Sequence, residues 1–188
     1  MSKFFVTLIV FGFLAAAAVP LTGAAEIEGV TFEERIRVDG EDLQLRGTAL
    51  LKHLIVIKAY VGALYVPEEM SAEKVLTDVP RALLLHYFHE IPAADFAKAT
   101  TTMIEKNVDE AEFQTLKPRI EQMNALYETV SPGDEYLAAY IPGVGTSLAL
   151  NGEKLGVVPG ARFARAYFAM WLGENPISKS FRDRLLSR

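Results

Sequence analysis

Residues 46–68 read RGTALLKHLIVIKAYVGALYVPE, from Arg46 to Glu68. The β-branched and aromatic residues suit a pleated, half-buried surface and Pro67 stops the run, so a long strand is expected over 55–66. Yet Lys52, His53 and Lys58 stand among side chains that favour a core. A solvent-facing edge explains these cations. A cation set in an apolar cleft to hold an anionic ligand explains them as well.

On the N-terminal side, residues 30–38 alternate apolar and polar, as a half-buried strand does. Asp39-Gly40 is a hairpin turn, and 43–45 resume the alternation. On the C-terminal side, 71–77 form a short helix with Ser71 as its N-cap, and 81–91 (RALLLHYFHEI) a further strand between Pro80 and Pro92. The period then changes. Over 93–107, Phe96, Ala99, Thr100, Met103 and Ile104 recur at helical spacing and define an inward face. Further helix is expected over 109–116 and 118–129, with Pro118 opening a fresh turn. Strands follow at 135–141, 146–150 and 154–158, the last two joined by a type I′ turn at Asn151-Gly152. The end is helical over 161–172, stopped by Gly173, and over 179–186, capped by Ser178. Strands, helices, a meander and helices again give an α+β domain, a large antiparallel sheet covered by a layer of helices on one face.

The chain opens MSKFFVTLIVFGFLAAAAVPLTGAA. Lys3 is a short positive region, 4–19 are apolar, and Pro20, Gly23, Ala24 and Ala25 make a helix-breaking, small-residue end. That is the layout of a secretory signal peptide over 1–25, cut after Ala25. Residues 26–188 are then one exported, periplasmic domain without stable membrane insertion. There is no cysteine, so a disulfide and a lipid held on cysteine are both excluded. A formal net charge of −5 and no basic run argue against binding nucleic acid.

Catalytic and metal-binding motifs are scarce. His86 and His89 stand three apart on an expected strand and point to opposite faces, so they do not share a metal ion. A Gly-x-Ser-x-Gly elbow is absent, and Gly143-Val-Gly145 reads as a turn, not a dinucleotide site. No cofactor is expected. Phe163, Tyr167, Phe168 and Trp171 form an aromatic stripe on the last long helix, either core or the wall of a cavity.

Four segments taken together, GTALLKHLIVIKAYVGALYVPE, YFHEIPAADFAKATTTMIEKN, YIPGVGTSLALNGEKLG and FARAYFAMWLGENPISKSFRDRLL, resemble the bacterial chalcone isomerase-like family. The resemblance runs from about Val30 to Leu186. It implies an open-faced β-sandwich of chalcone isomerase type, with a ligand cleft between sheet and helices. Plant chalcone isomerases close a flavanone ring by adding a phenoxide to an enone, and relatives without that activity bind fatty acids. The family's arginine, which meets the ligand's anionic or carbonyl oxygen, corresponds to Lys52, with Arg46 or Thr48 as the alternative counterpart. Its catalytic tyrosine corresponds to Phe96, its asparagine to Met103 and its late threonine to Met170. Removing a single donor to a developing oxyanion costs about 10²–10³ in rate, so the loss of three implies little catalysis.

Three functions follow from these residues. The first is a non-catalytic binder of a small apolar anion such as a fatty acid, its chain along Phe96, Met103 and Met170 and its head at Lys52. The second is an isomerase acting on an unknown enone, using Lys52 and a tyrosine such as Tyr60 or Tyr65. The third is a structural or interaction domain whose cleft is closed by its own side chains.

Overall fold

The computed structural model of the chain describes residues 24–53 and 57–187. The leader, save its last two residues, and the start of the strand expected from Ile55 lie outside them. Strands β1 (Ala25–Ile27) and β2 (Val30–Phe32) form a small hairpin. Seven more make one antiparallel sheet: β3 (Arg35–Val38), β4 (Glu41–His53), β5 (Ile57–Val66), β6 (Arg81–Tyr87), β7 (Glu135–Ile141), β8 (Gly145–Leu150) and β9 (Glu153–Val158). Their spatial order is their chain order, a meander. The expected turns hold it together. Asp39 and Gly40, like Asn151 and Gly152, take positive φ, as a type I′ turn requires.

Arg46–Glu68 spans most of the β4–β5 hairpin, and β5 covers the strand expected over 55–66 from Ile57 onward. Lys52 pairs with Lys58 and His53 with Ile57, so the three cations gather at one end of it. Two like charges directly opposite repel, and Lys58 is drawn off by Glu28 at 2.5 Å.

Helices α1 (Ala93–Glu105) and α2 (Glu110–Asn124) lie between β6 and β7, while α3 (Ala161–Leu172) and α4 (Lys179–Leu185) follow the sheet. All four pack on one face, against a core that includes Leu64, Leu83, Tyr140 and Leu148. On the other face Val61, Ala63, Tyr65 and Ala82 form a second cluster with Phe32 of the β1–β2 hairpin. This is the open-faced, α+β layout expected from the resemblance.

Several local expectations need correction. The alternating run 30–38 is two strands in different sheets, broken at Glu33-Glu34. Alternation reports a buried side, not which sheet supplies it. Residues 71–77 hold one 3₁₀ turn, Ala72–Lys74, and Ser71 does not cap it with its side chain. The strand from Arg81 ends at Tyr87, although the Phe88 N–H still bonds the Ala59 carbonyl of β5, and Ile91 makes only an isolated bridge to Val130. Pro118 lies inside α2 rather than starting a helix, and α2 ends at Asn124, short of the expected 129. Pro118 is exposed, so the Gln114 carbonyl it leaves unbonded falls on the solvent side. Phe113, Leu116, Ile120 and Met123 bury the opposite side continuously across the proline.

Candidate functional site

Strand alternation and helical period converge on one cavity between sheet and helices, about 440 Å³ in volume. Side chains of one parity reach it from the sheet: Tyr60 of β5, Leu85 and Tyr87 of β6, Tyr136 and Ala138 of β7, and Leu148 of β8. Helix α1 adds Phe96, Thr100 and Met103, four and then three residues apart, and α3 adds Tyr167, Met170 and Trp171 on one side of the helix. Tyr127, just beyond α2, completes the wall. Asp95, exposed at the rim, is the one charged side chain lining the cavity among the described residues.

The wall is apolar but not featureless. Phe96 stacks on Tyr127 with ring centroids 5.4 Å apart and meets Tyr87 and Tyr136 edge-on. Trp171 donates its indole N–H to the Tyr60 hydroxyl at 3.0 Å. Thr100 and Tyr127 share a hydrogen bond of 2.8 Å, and Tyr127 and Tyr167 one of 3.1 Å. Tyr136 donates to the Glu128 carbonyl and accepts from the Glu128 N–H.

Burial fixes the protonation of these phenols. It pushes Tyr127 up to about 12, against the opposing hydrogen bonds from Thr100 and Tyr167. Burial raises Tyr60 too, against its bond from Trp171, and holds Tyr87 and Tyr167 well above the ordinary tyrosine value, with neighbouring tyrosines adding to the effect. At neutral pH these groups are hydrogen-bonding hydroxyls and not bases.

Phe96, Met103 and Met170 stand together on the cavity wall, and Tyr60 with them. Lys52 lines an adjoining recess of about 670 Å³ that also holds His89 and shares Ile91, Asp95 and Ile177 with the cavity. Its side chain is exposed and has no ion pair among the described residues. Arg46 lies elsewhere, in a small recess with Met70, Val75 and Leu186, its Nε buried and unpartnered. Thr48 pairs with Ala63 on the face away from the helices. Tyr65 is on that face too, fully buried with an unpartnered hydroxyl. Lys58, half exposed and paired with Glu28, is a surface residue. The His53 side chain lies outside the described residues. His86 bonds Glu135 at 3.0 Å, and no group of side chains suited to a metal ion occurs among the described residues.

Sequence reasoning missed Tyr87, Tyr127 and Tyr136. Five of the seven tyrosines line this cavity. A phenol pairs an apolar ring with a hydroxyl needing a partner, so the inward parity of Tyr87 and Tyr136 on their strands was the available signal, and Tyr127, beyond α2, had none.

A family model described as chalcone isomerase-like matches residues 24–187. Among solved structures, the crystal structure of a fatty-acid-binding protein of Arabidopsis thaliana superposes with a TM-score of 0.69 at 15% identity, covering 87% of this chain and 95% of the plant chain. A search of curated proteins gave no match.

Proposed function

The chain belongs to the chalcone isomerase-like family, and on that premise we propose that it binds a small apolar anion, of fatty-acid type, without turning it over. One observation carries this: a cavity of about 440 Å³, walled by Phe96, Met103 and Met170, beside a recess in which Lys52 has no ion pair among the described residues. The volume lies within the ordinary range for small-molecule sites, about 300–1,000 Å³. Flexible methionines accommodate an alkyl chain. The Arabidopsis protein of the same fold is named for binding fatty acids, and the same ligand class suits this wall. Burying ten methylenes gives about 8 kcal/mol at roughly 0.8 each, while association costs about 4–15 kcal/mol. Chain burial thus leaves a narrow margin, and the head group decides whether binding is measurable.

Titration calorimetry with palmitic acid and the matching alcohol, on the parent protein and Lys52→Met, tests this. Lys52 is exposed, so its contact with a carboxylate is partly screened. The substitution should weaken the acid about two- to fivefold and leave the alcohol unchanged. An unchanged acid would remove Lys52 from the site.

The isomerase reading has one observation in its favour: Tyr60 lies in the cavity with a hydroxyl oriented by Trp171. It supplies a donor only, since burial holds it protonated. Purified protein should convert a 2′-hydroxychalcone no faster than the spontaneous rate, and heat-sensitive turnover would favour the isomerase. The cleft is not filled by its own side chains, which weighs against a purely structural domain. Export follows from the leader-like residues 1–25, and a periplasmic location with it.

A further inference from the structure

We propose that the hydroxyl chain Thr100–Tyr127–Tyr167 is a second recognition point in the cavity, selecting ligands that carry a neutral acceptor oxygen, an oxo group above all, part-way along the apolar chain. This rests on the ligand-binding reading above and adds the class of ligand.

Counting protons carries the inference. Three hydroxyls offer three O–H donors, and two hydrogen bonds join them, Thr100 to Tyr127 and Tyr127 to Tyr167. However the two bonds are polarised, one O–H remains over. The described residues give it no acceptor. Thr100 does not bond back to the carbonyl one turn earlier, whereas Thr101 and Thr115 both do, at 2.9 Å. Thr100 and Tyr167 are each only 2% exposed, so bulk water does not meet the need of a proton left on either; when both donate to Tyr127, the spare proton is on that half-buried hydroxyl. Tyr136 on the same wall shows the contrast, its hydroxyl satisfied as both donor and acceptor by Glu128.

A buried donor without a partner is costly, and an acceptor placed against it recovers that cost. The acceptor must be neutral. No basic side chain among the described residues lines the cavity, and Asp95 at its rim is acidic. A carboxylate brought inside would lose its hydration with no cation to compensate, and it finds one outside, at Lys52. A carbonyl oxygen accepts the same hydrogen bond at much smaller desolvation cost. The ligand class is therefore a chain with its acid at the mouth and a keto oxygen within.

The test is calorimetry with palmitic acid and a series of its oxo derivatives, the keto group stepped along the chain. On the parent protein one position should bind about two- to tenfold tighter than palmitic acid, with positions on either side falling back. Replacing all three hydroxyls, Thr100→Val/Tyr127→Phe/Tyr167→Phe, leaves no donor and should bring that preference to about one. Thr100→Val alone leaves two hydroxyls joined by one bond, hence still one donor over, so it should keep a preference at the same or a neighbouring keto position and gives an independent measurement if the triple variant folds poorly. A flat dependence on keto position, with palmitic acid still binding, overturns the inference and leaves the ligand-binding reading intact. An equal loss of palmitic acid and keto acid in both variants also overturns it, because the carboxylate would then be the group on the hydroxyls. Failure of every acid to bind removes both together.

Discussion

Tyr127 sits where sequence-local signals fade, between the end of α2 and the start of β7, yet it joins three parts of the cavity wall. It stacks on Phe96 of α1, bonds Thr100 of the same helix and bonds Tyr167 of α3. Its titration has a consequence for stability. An unfolded tyrosine ionises near pH 10, whereas burial holds Tyr127 protonated up to about 12. Between those values the folded chain keeps a proton that the unfolded chain releases, so raising the pH favours unfolding. The stabilisation is complete below pH 10 and is lost as the pH rises toward 12. Urea unfolding followed from pH 8 upward should show stability falling above pH 10, less steeply in Tyr127→Phe. An identical slope in both proteins would mean that Tyr127 ionises freely in the fold. Phe96 and Met103 were legible in the sequence because helical period and the family resemblance both mark them, and Met170 through the resemblance alone. Tyr127 was not, since nothing in a loop's own residues says which helix it will lie against.

Helix α4 reaches the sheet through two glycines of the β4–β5 hairpin, Gly47 and Gly62. A Cβ on Gly47 would stand 2.5 Å from the Arg184 carbonyl oxygen and 2.8 Å from that of Leu185. A Cβ on Gly62 would stand 2.7 Å from the Phe181 ring. Backbone carbonyls of a packed helix do not yield as a side-chain end does, so Gly47→Ala should push α4 off β4. The expected loss is about 1–3 kcal/mol of stability, measured as a lower urea midpoint. A midpoint equal to that of the parent chain would show that α4 docks loosely. The same element-level logic explains Pro118. Its local signal for a helix start is overridden because four apolar side chains on one face of α2 pack on both sides of it. Local propensity gives way when a continuous buried face spans it.

For the whole molecule, the leader-like residues predict that the precursor is processed near Ala25. Ala25 opens β1 and pairs with Phe32, so a cut after it leaves the pairs Glu26 with Thr31 and Ile27 with Val30. N-terminal sequencing of the exported protein should find Glu26 or a close neighbour first, and an intact Met1 would refute the expectation. No helix among the described residues is long and apolar enough to cross a membrane. The meander, its hairpin turns and its helical layer were written in the sequence, because alternation, helical period and turn residues act between near neighbours. The placement of the cations was not. A bulge between Leu45 and Gly47 shifts the register of β4 by one residue. Leu43 and Leu45 therefore face the β1–β2 hairpin, while Ala49 and Leu51 face the helices. That step sends Thr48 to the face without the cavity, while Arg46, beside Leu45, stays in a separate recess, and a second shift, between Leu51 and Lys52, sets Lys52 opposite Lys58 at the mouth. Side-chain parity flips with every extra residue in a strand, and only the pairing of β4 with β5, a tertiary fact, records where that residue went in.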